Sequence, residues 1–222
     1  MDRIASGIVF TTPPTLPRGR HVLSRDQVTA AQRERILIAA TELLAGAGHR
    51  GFGVREICSE AAVSRAAFYE FFADKDACVN EAYDRFIAVF LEHLAASGAA
   101  AVDWAGCIHD FVGSYLRTLQ RDLVAARAFQ VEMDGLGRPA RERRRAAITQ
   151  LATFIRDLRE QRFPGTGAGV PLSAYIGAIY ALRQIASDAL DADPAPDLPA
   201  LTGELSGWLC RLVDAGPHHE GN

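Results

Sequence analysis

Between Val54 and Phe72 lie two short helical patterns with three residues between them, and this spacing leaves few ways to bury their apolar side chains. The first runs from Val54 to Ala61. The second starts at Ser64, whose hydroxyl can accept a backbone hydrogen bond as an N-cap, and continues to Phe71 or Phe72. Neither piece is long enough to hold itself helical in water, so the two must cross tightly. Ile57, Val63, Phe68 and Phe71 supply a shared core, while the small Cys58, Ala61 and Ala62 allow close approach at the turn. Ser64 to Tyr69 then project from the second helix, as the reading helix of a helix-turn-helix does into a major groove.

The rest of the chain also reads as helix. Ser24 with Gln27 three residues later fits a capping box, and Val28, Ile36, Ala40, Leu43, Leu44 and Ala47 recur at helical spacing, predicting a first helix over 25–47. Gly46, Gly48 and Gly51 surround its end. A long amphipathic helix is expected from Lys75 to about Ala101 on Val79, Ala82, Tyr83, Phe86, Val89, Phe90 and Leu94. Others follow at 104–121, 123–133, 138–162, 172–191 and 198–214, with breaks at 135–139, 163–171 and 193–199. No useful strand alternation and no internal repeat is visible, so the fold class is all-α.

Composition narrows the function classes. With 49% hydrophobic and 23% charged residues the chain is expected to fold as a globular protein. It has no uninterrupted apolar run of membrane-spanning length and no secretory leader pattern, which makes the cytoplasm the default location. Cys58, Cys78, Cys107 and Cys210 stand singly, without the paired spacing of a metal site, and read as buried or half-buried thiols. The net charge is −3, so DNA binding would depend on local arginines. Residues 1–35 hold Arg3, Arg18, Arg20, Arg25, Arg33 and Arg35 against Asp2, Asp26 and Glu34. Residues 1–23, with Pro13, Pro14 and Pro17, read as a flexible arm that buries little apolar surface.

Arg33-Glu-Arg-Ile-Leu37 with Ala39-Ala40, Val54-Arg-Glu-Ile57, Val63-Ser-Arg65, Phe68-Tyr69, Phe72 and Ala73-Asp-Lys-Asp76 stand in fixed register over residues 25–85. On these residues the chain resembles the TetR family of transcriptional regulators; beyond residue 85 only the helical layout is similar. The resemblance implies a three-helix DNA-binding domain at 24–74, a ligand-binding and dimerisation domain at 75–215, an arm at 1–23 and a disordered tail at 216–222. It implies that Arg65 and Ala67 meet base edges while Ser64, Tyr69 and Lys75 hold phosphates. Ser64 serves as an N-cap in either case, Tyr69 has the alternative of burying its ring on the first helix, and Lys75 that of a solvated charge. Arg18 and Arg20 either enter a minor groove or lie along phosphates, or belong to a solvated tail. Three positions depart from the family. Gly53 replaces a capping hydroxyl, Ala62 stands at a turn position suited to glycine, and Glu70 stands where an aromatic or basic side chain is usual, with Arg65 as its expected partner and a cytosine amine as the alternative.

The same resemblance implies a homodimer joined through the last two helices, with Ile176, Ile179, Leu182, Leu205, Trp208 and Leu209 among the interface residues, although part of each stripe must pack within one chain. It implies a small apolar or aromatic effector held among Trp104, Phe111, Tyr115, Phe129, Met133, Phe154 and Tyr175, all of which are also ordinary core residues. The implied protein is a repressor released from operator DNA by that effector, with no cofactor, no metal, no membrane partner and no catalytic residue. The alternatives are a ligand-independent DNA-binding regulator and a metal-dependent hydrolase built on the His109-Asp110 pair. For the hydrolase no His or Asp spacing completes a ligand set, and neither a phosphate loop nor a nucleophile elbow occurs. Arg138, Arg141, Arg143, Arg144 and Arg145 read as a solvated helix start rather than an anion site.

Overall fold

A computed structural model describes residues 3–4, 7–13, 24–98 and 100–214. The helices are α1 (Arg25–Ala47), α2 (Val54–Glu60), α3 (Arg65–Phe71), α4 (Lys75–Ala96), α5 (Trp104–Gln120), α6 (Leu123–Ala126), α7 (Arg138–Arg162), α8 (Leu172–Ala192) and α9 (Thr202–Asp214). No strand occurs among the described residues, and none of their helices is long and apolar enough to cross a membrane. The chain divides into two compact units. One contains the described residues up to Val89 with Arg121–Leu136; the other contains Phe90–Gln120 and the described residues from Gly137 onward.

In the first unit, α1 starts on the capping box expected of it. Ser24 Oγ accepts from the Gln27 N–H at 3.2 Å, and Gln27 Oε1 accepts from the Ser24 N–H at 2.9 Å. Gly48 ends the helix at φ 64°, its N–H reaching Leu44 O at 3.0 Å. Ile36, Leu37, Ala40 and Leu44 of α1 are buried, as are Ile57 of α2 and Phe68 of α3. The turn between α2 and α3 is closed by the Val63 N–H donating to Cys58 O at 3.0 Å, a Schellman-type arrangement that puts Ala62 at φ 53°. Ala62 is the sole non-glycine residue with positive φ among those described. Glycine relieves that strain, so Ala62→Gly is expected to stabilise the domain by about 1 kcal/mol. Urea unfolding checks this, and unchanged or lowered stability contradicts it.

The described part of the expected arm is packed. Ile4, Val9 and Phe10 are buried, Phe10 completely. The Ile4 N–H donates to Glu42 Oε1 at 2.7 Å, the Thr11 N–H donates to Glu34 Oε1 at 2.9 Å, and Arg3 pairs with Glu60 at 2.6 Å. Arg85 of α4 lies 5.1 Å from the centre of the Phe10 ring and pairs with Glu34 of α1 at 2.5 Å. Ile4, Ile8, Val9 and Phe10 precede Pro13, Pro14 and Pro17, so the apolar part of the segment is separate from its proline-rich part. Residues 14–23, with Arg18 and Arg20, and the tail 216–222 lie outside the described residues.

The helix expected over 123–133 is also interrupted. Asp122 caps α6 by accepting from the Ala125 N–H at 3.0 Å, but after Ala126 the chain forms a π-helical turn over Arg127–Val131 and a 3₁₀ turn over Glu132–Leu136. A π turn takes in one extra residue and so changes which side chains share a face. Phe129 and Met133 are buried here, the Phe129 ring 5.0 Å from Phe86 and 5.9 Å from Tyr83.

In the second unit α5 packs on α9 and α7 on α8. Its α4 segment ends at Ala96, short of the expected 101, ahead of Gly98 at φ 72°. Leu198–Leu201 form a 3₁₀ turn before α9. Arg159 of α7 is 2% exposed. Its guanidinium pairs with Asp214 at 2.7 Å and donates to Val213 O at 2.9 Å, Tyr175 Oη at 3.3 Å and both Thr166 oxygens. It also lies 4.7 Å over the Trp104 ring. A buried charge costs several kcal/mol unless its hydrogen-bonding capacity is met, and here the set of acceptors meets it.

Candidate nucleic-acid interface and ligand cavity

One face of α3 is buried and the other is open. Phe68 is fully buried and Phe71 half-buried, whereas Ser64, Arg65, Ala66, Tyr69 and Glu70 are exposed and Ala67 is half-buried. Ser64 Oγ accepts from the Ala67 N–H at 3.0 Å, so the hydroxyl caps α3 and keeps its own proton to donate outward. Tyr69 is 51% exposed, its ring edge-on to Phe68 at 5.4 Å; burial of its ring on α1 is therefore not what the structure shows.

Arg65 and Glu70 make no ion pair within 4.0 Å, and the expected pairing is corrected: five residues along a helix place two side chains about 140° apart around the axis. Arg65 thus presents a guanidinium at the first turn of α3. Lys75 is not the solvated charge of its alternative reading. Its ammonium donates to His49 O at 2.6 Å and Phe52 O at 3.1 Å and sits 4.9 Å from the Phe52 ring centre. It braces the turn between α1 and α2, which leaves one N–H of the ammonium for a further acceptor. Gly53 has no side chain to cap α2. The Glu56 carboxylate accepts from the Gly53 N–H at 2.9 Å instead and is held below its usual pKa, chiefly by the Arg55 side chain.

In the second unit an apolar cavity of about 80 Å³ is lined by four of the residues expected to meet an effector: Trp104, Phe111, Tyr115 and Tyr175. Around them stand Leu94, Ile108, Leu151, Ile155, Leu182 and Leu209. The other three expected lining residues are elsewhere. Phe129 and Met133 belong to the core of the first unit, because the π turn and the contacts with Tyr83 and Phe86 place them there. Phe154 is 42% exposed on α7, where its neighbours Leu151 and Ile155 take the inward positions. Arg159, behind Trp104 and Tyr175, was absent from the sequence reading.

Of the residues expected at a dimer interface, Leu205 and Leu209 are buried within the chain, where α9 packs on α5, and Ile179, Leu182 and Leu209 line the cavity. Ile176 and Trp208 are half-buried, while Tyr180 and Leu212 are exposed. Among the described residues no group of three or more His, Cys, Asp or Glu side chains is placed to hold a metal; the His109 ring meets Ser206 Oγ at 3.2 Å. Burial pushes the thiols of Cys58, Cys78 and Cys107 up from their ordinary pKa. It also raises Cys210, with help from the Asp214 carboxylate, to about 11, so none carries a reactive thiolate near neutrality.

Residues 36–82, which span the second half of α1, α2, the turn, α3 and the start of α4, match the family described as bacterial regulatory proteins, tetR family. The N-terminal helices are a tetR-family domain. The TetR-type fold extends over most of the chain. It is similar to the fatty acid degradation regulator FadR of Bacillus halodurans, with a TM-score of 0.71 at 17% identity, over 80% of this chain and 94% of that one. FadR of Bacillus subtilis, solved with stearoyl-CoA, gives 0.66 at 19% over 83% and 98%. NalD of Pseudomonas aeruginosa, the secondary repressor of the MexAB-OprM multidrug efflux pump, gives 0.64 at 22% over 83% and 98%. At such identities the likeness is one of fold. No curated protein matches the chain.

Proposed function

We propose that this TetR-type protein is a transcriptional repressor of the cytoplasm that binds operator DNA as a homodimer and leaves it when a small apolar or aromatic compound enters the cavity lined by Trp104 and Tyr175. The observation that carries the reading is the split character of α3, whose Phe68 anchors it to α1 while Arg65 and Tyr69 stand outward at the positions from which a recognition helix meets DNA. Arg65 and Ala67 meet base edges; the Ser64 hydroxyl and Tyr69 meet phosphates and set register. Residues 24–74 act as the DNA-reading part and 75–215 as the effector and dimer part.

An almost wholly apolar cavity favours an uncharged guest, since a charge without a partner would pay its full desolvation there. One protein of similar fold is solved with stearoyl-CoA, of which only the acyl chain is apolar. The apolar positions left uncovered on α8 and α9, Tyr180 and Leu212 with Ile176 and Trp208 beside them, supply the dimer surface. Selection of genomic fragments by the purified protein at moderate salt, with competitor DNA, tests the reading. Recovery of a pseudo-palindromic site with half-sites one helical turn or a multiple apart is expected; retention of fragments with no common sequence, by folded dimeric protein, overturns it.

A further inference from the structure

The open face of α3 has a carboxylate at its middle. Successive residues turn by about 100° around a helix, so Ala66 and Glu70, two residues before and two after the fully buried Phe68, both stand about 160° from it. Arg65 and Tyr69 lie toward the flank of that face. Ala66 reaches no further than its methyl group, which leaves Glu70 as the side chain that extends from the centre. Glu70 is exposed and makes no hydrogen bond or ion pair among the described residues. Arg65 is the sole cation of α3, and Glu70 offsets its charge. A carboxylate without a partner is ordinary on a surface that meets only water. On a surface that closes on DNA it is repelled by every nearby phosphate, so it needs a donor of its own there.

We infer that Glu70 is a specificity-determining residue of this face, its carboxylate accepting a hydrogen bond from the N4 amine of a cytosine in the major groove. This rests on the DNA-reading role proposed for α3 above. The chemistry of the base edges selects the partner. An ionised carboxylate can only accept. Guanine presents N7 and O6 and thymine presents O4, all of them acceptors that repel it. Adenine presents its N6 amine beside the acceptor N7, whereas cytosine presents its N4 amine with no acceptor of its own alongside. The position is also distinct from that of Arg65. Five residues advance a helix by about 7.5 Å, more than the ~3.4 Å between successive base pairs, so the two side chains meet different base pairs. Where no amine stands at that place, the carboxylate makes no bond and the repulsion from phosphate remains. Glu70 therefore weakens binding to wrong sequences as well as favouring the right one.

Selection from randomised duplexes by the intact protein at one fixed salt concentration, repeated with Glu70→Ala and Glu70→Gln, tests the assignment. The wild-type protein is expected to prefer cytosine by about fivefold or more at one position of each half-site, separate from the position relaxed by Arg65→Ala. In Glu70→Ala that preference is expected to fall to about twofold or less. Its binding to a scrambled duplex is expected to tighten by about two- to fivefold, because the repulsion is gone. The amide of Glu70→Gln both donates and accepts, which suits adenine N6 and N7, so the preference at the same position is expected to shift toward adenine. Both variants change an exposed side chain and are expected to keep the far-ultraviolet circular dichroism of the wild type. A cytosine preference unchanged in either folded variant, or weaker binding of Glu70→Ala to all duplexes alike, overturns the assignment of Glu70 while leaving α3 a DNA-reading helix. Absence of any base preference in the wild-type protein overturns the DNA reading itself.

Discussion

Arg65→Ala is expected to weaken binding to the selected operator by about 1–3 kcal/mol, roughly five- to 150-fold, and to relax base preference at one position in each half-site. The expectation follows from three features of the residue. Arg65 is the first residue of α3, directly after its Ser64 cap, and the N-terminal turn of a recognition helix is the part that reaches base edges. It is exposed, and no carboxylate among the described residues lies within ion-pair distance of it, so no described ion pair must break before the guanidinium meets a guanine edge. The substitution also removes no packing, since the buried face of α3 is that of Phe68. Fluorescence anisotropy with the operator and with duplexes changed one base pair at a time checks the prediction. A loss of the same size on every duplex, specific or not, makes Arg65 a phosphate contact instead.

Phe10→Ala is expected to cost about 3–5 kcal/mol of stability, the usual consequence of emptying a filled aromatic site. The ring is fully buried, Arg85 lies over it, and the flanking Thr11 N–H is tied to the same Glu34 that Arg85 pairs with. The N-terminal segment is thus tied to α4 through the Phe10 ring and to α1 through the Thr11 N–H. The loss is expected to exceed that of any substitution on the exposed face of α3, and chemical unfolding measures it. A change below about 1 kcal/mol, the range of surface substitutions, would show that the segment does not pack as described.

The parts of the fold legible in the sequence are those governed by local chemistry. The limits of α1 follow from Ser24, Gln27 and Gly48, the turn at Ala62 from its small neighbours, and α7 from Pro139 at its start and the glycines beyond Phe163. The parts that escaped depend on contacts distant in sequence. The character of Phe129 and Met133 marks them as core but says nothing of which core. A helical period cannot reveal a π turn, because the apolar spacing of 123–133 suits an ordinary helix equally well. Arg159 runs against expectation for the most polar of side chains, and its partners Tyr175, Val213 and Asp214 come together only once α7, α8 and α9 have packed. In the candidate sites the same division holds. The exposed face of α3 follows from the period of one short helix, whereas the cavity wall is assembled from residues of α4, α5, α7, α8 and α9 that are far apart in sequence.

The central claim is sequence-specific recognition by the open face of α3. The measurement that bears on it most directly is the affinity of the purified protein for a selected operator and for a scrambled duplex of equal length and composition, at one fixed, near-physiological salt concentration. The operator is expected to bind at least about a thousandfold more tightly than the scrambled duplex. Equal affinities for the two would contradict the claim.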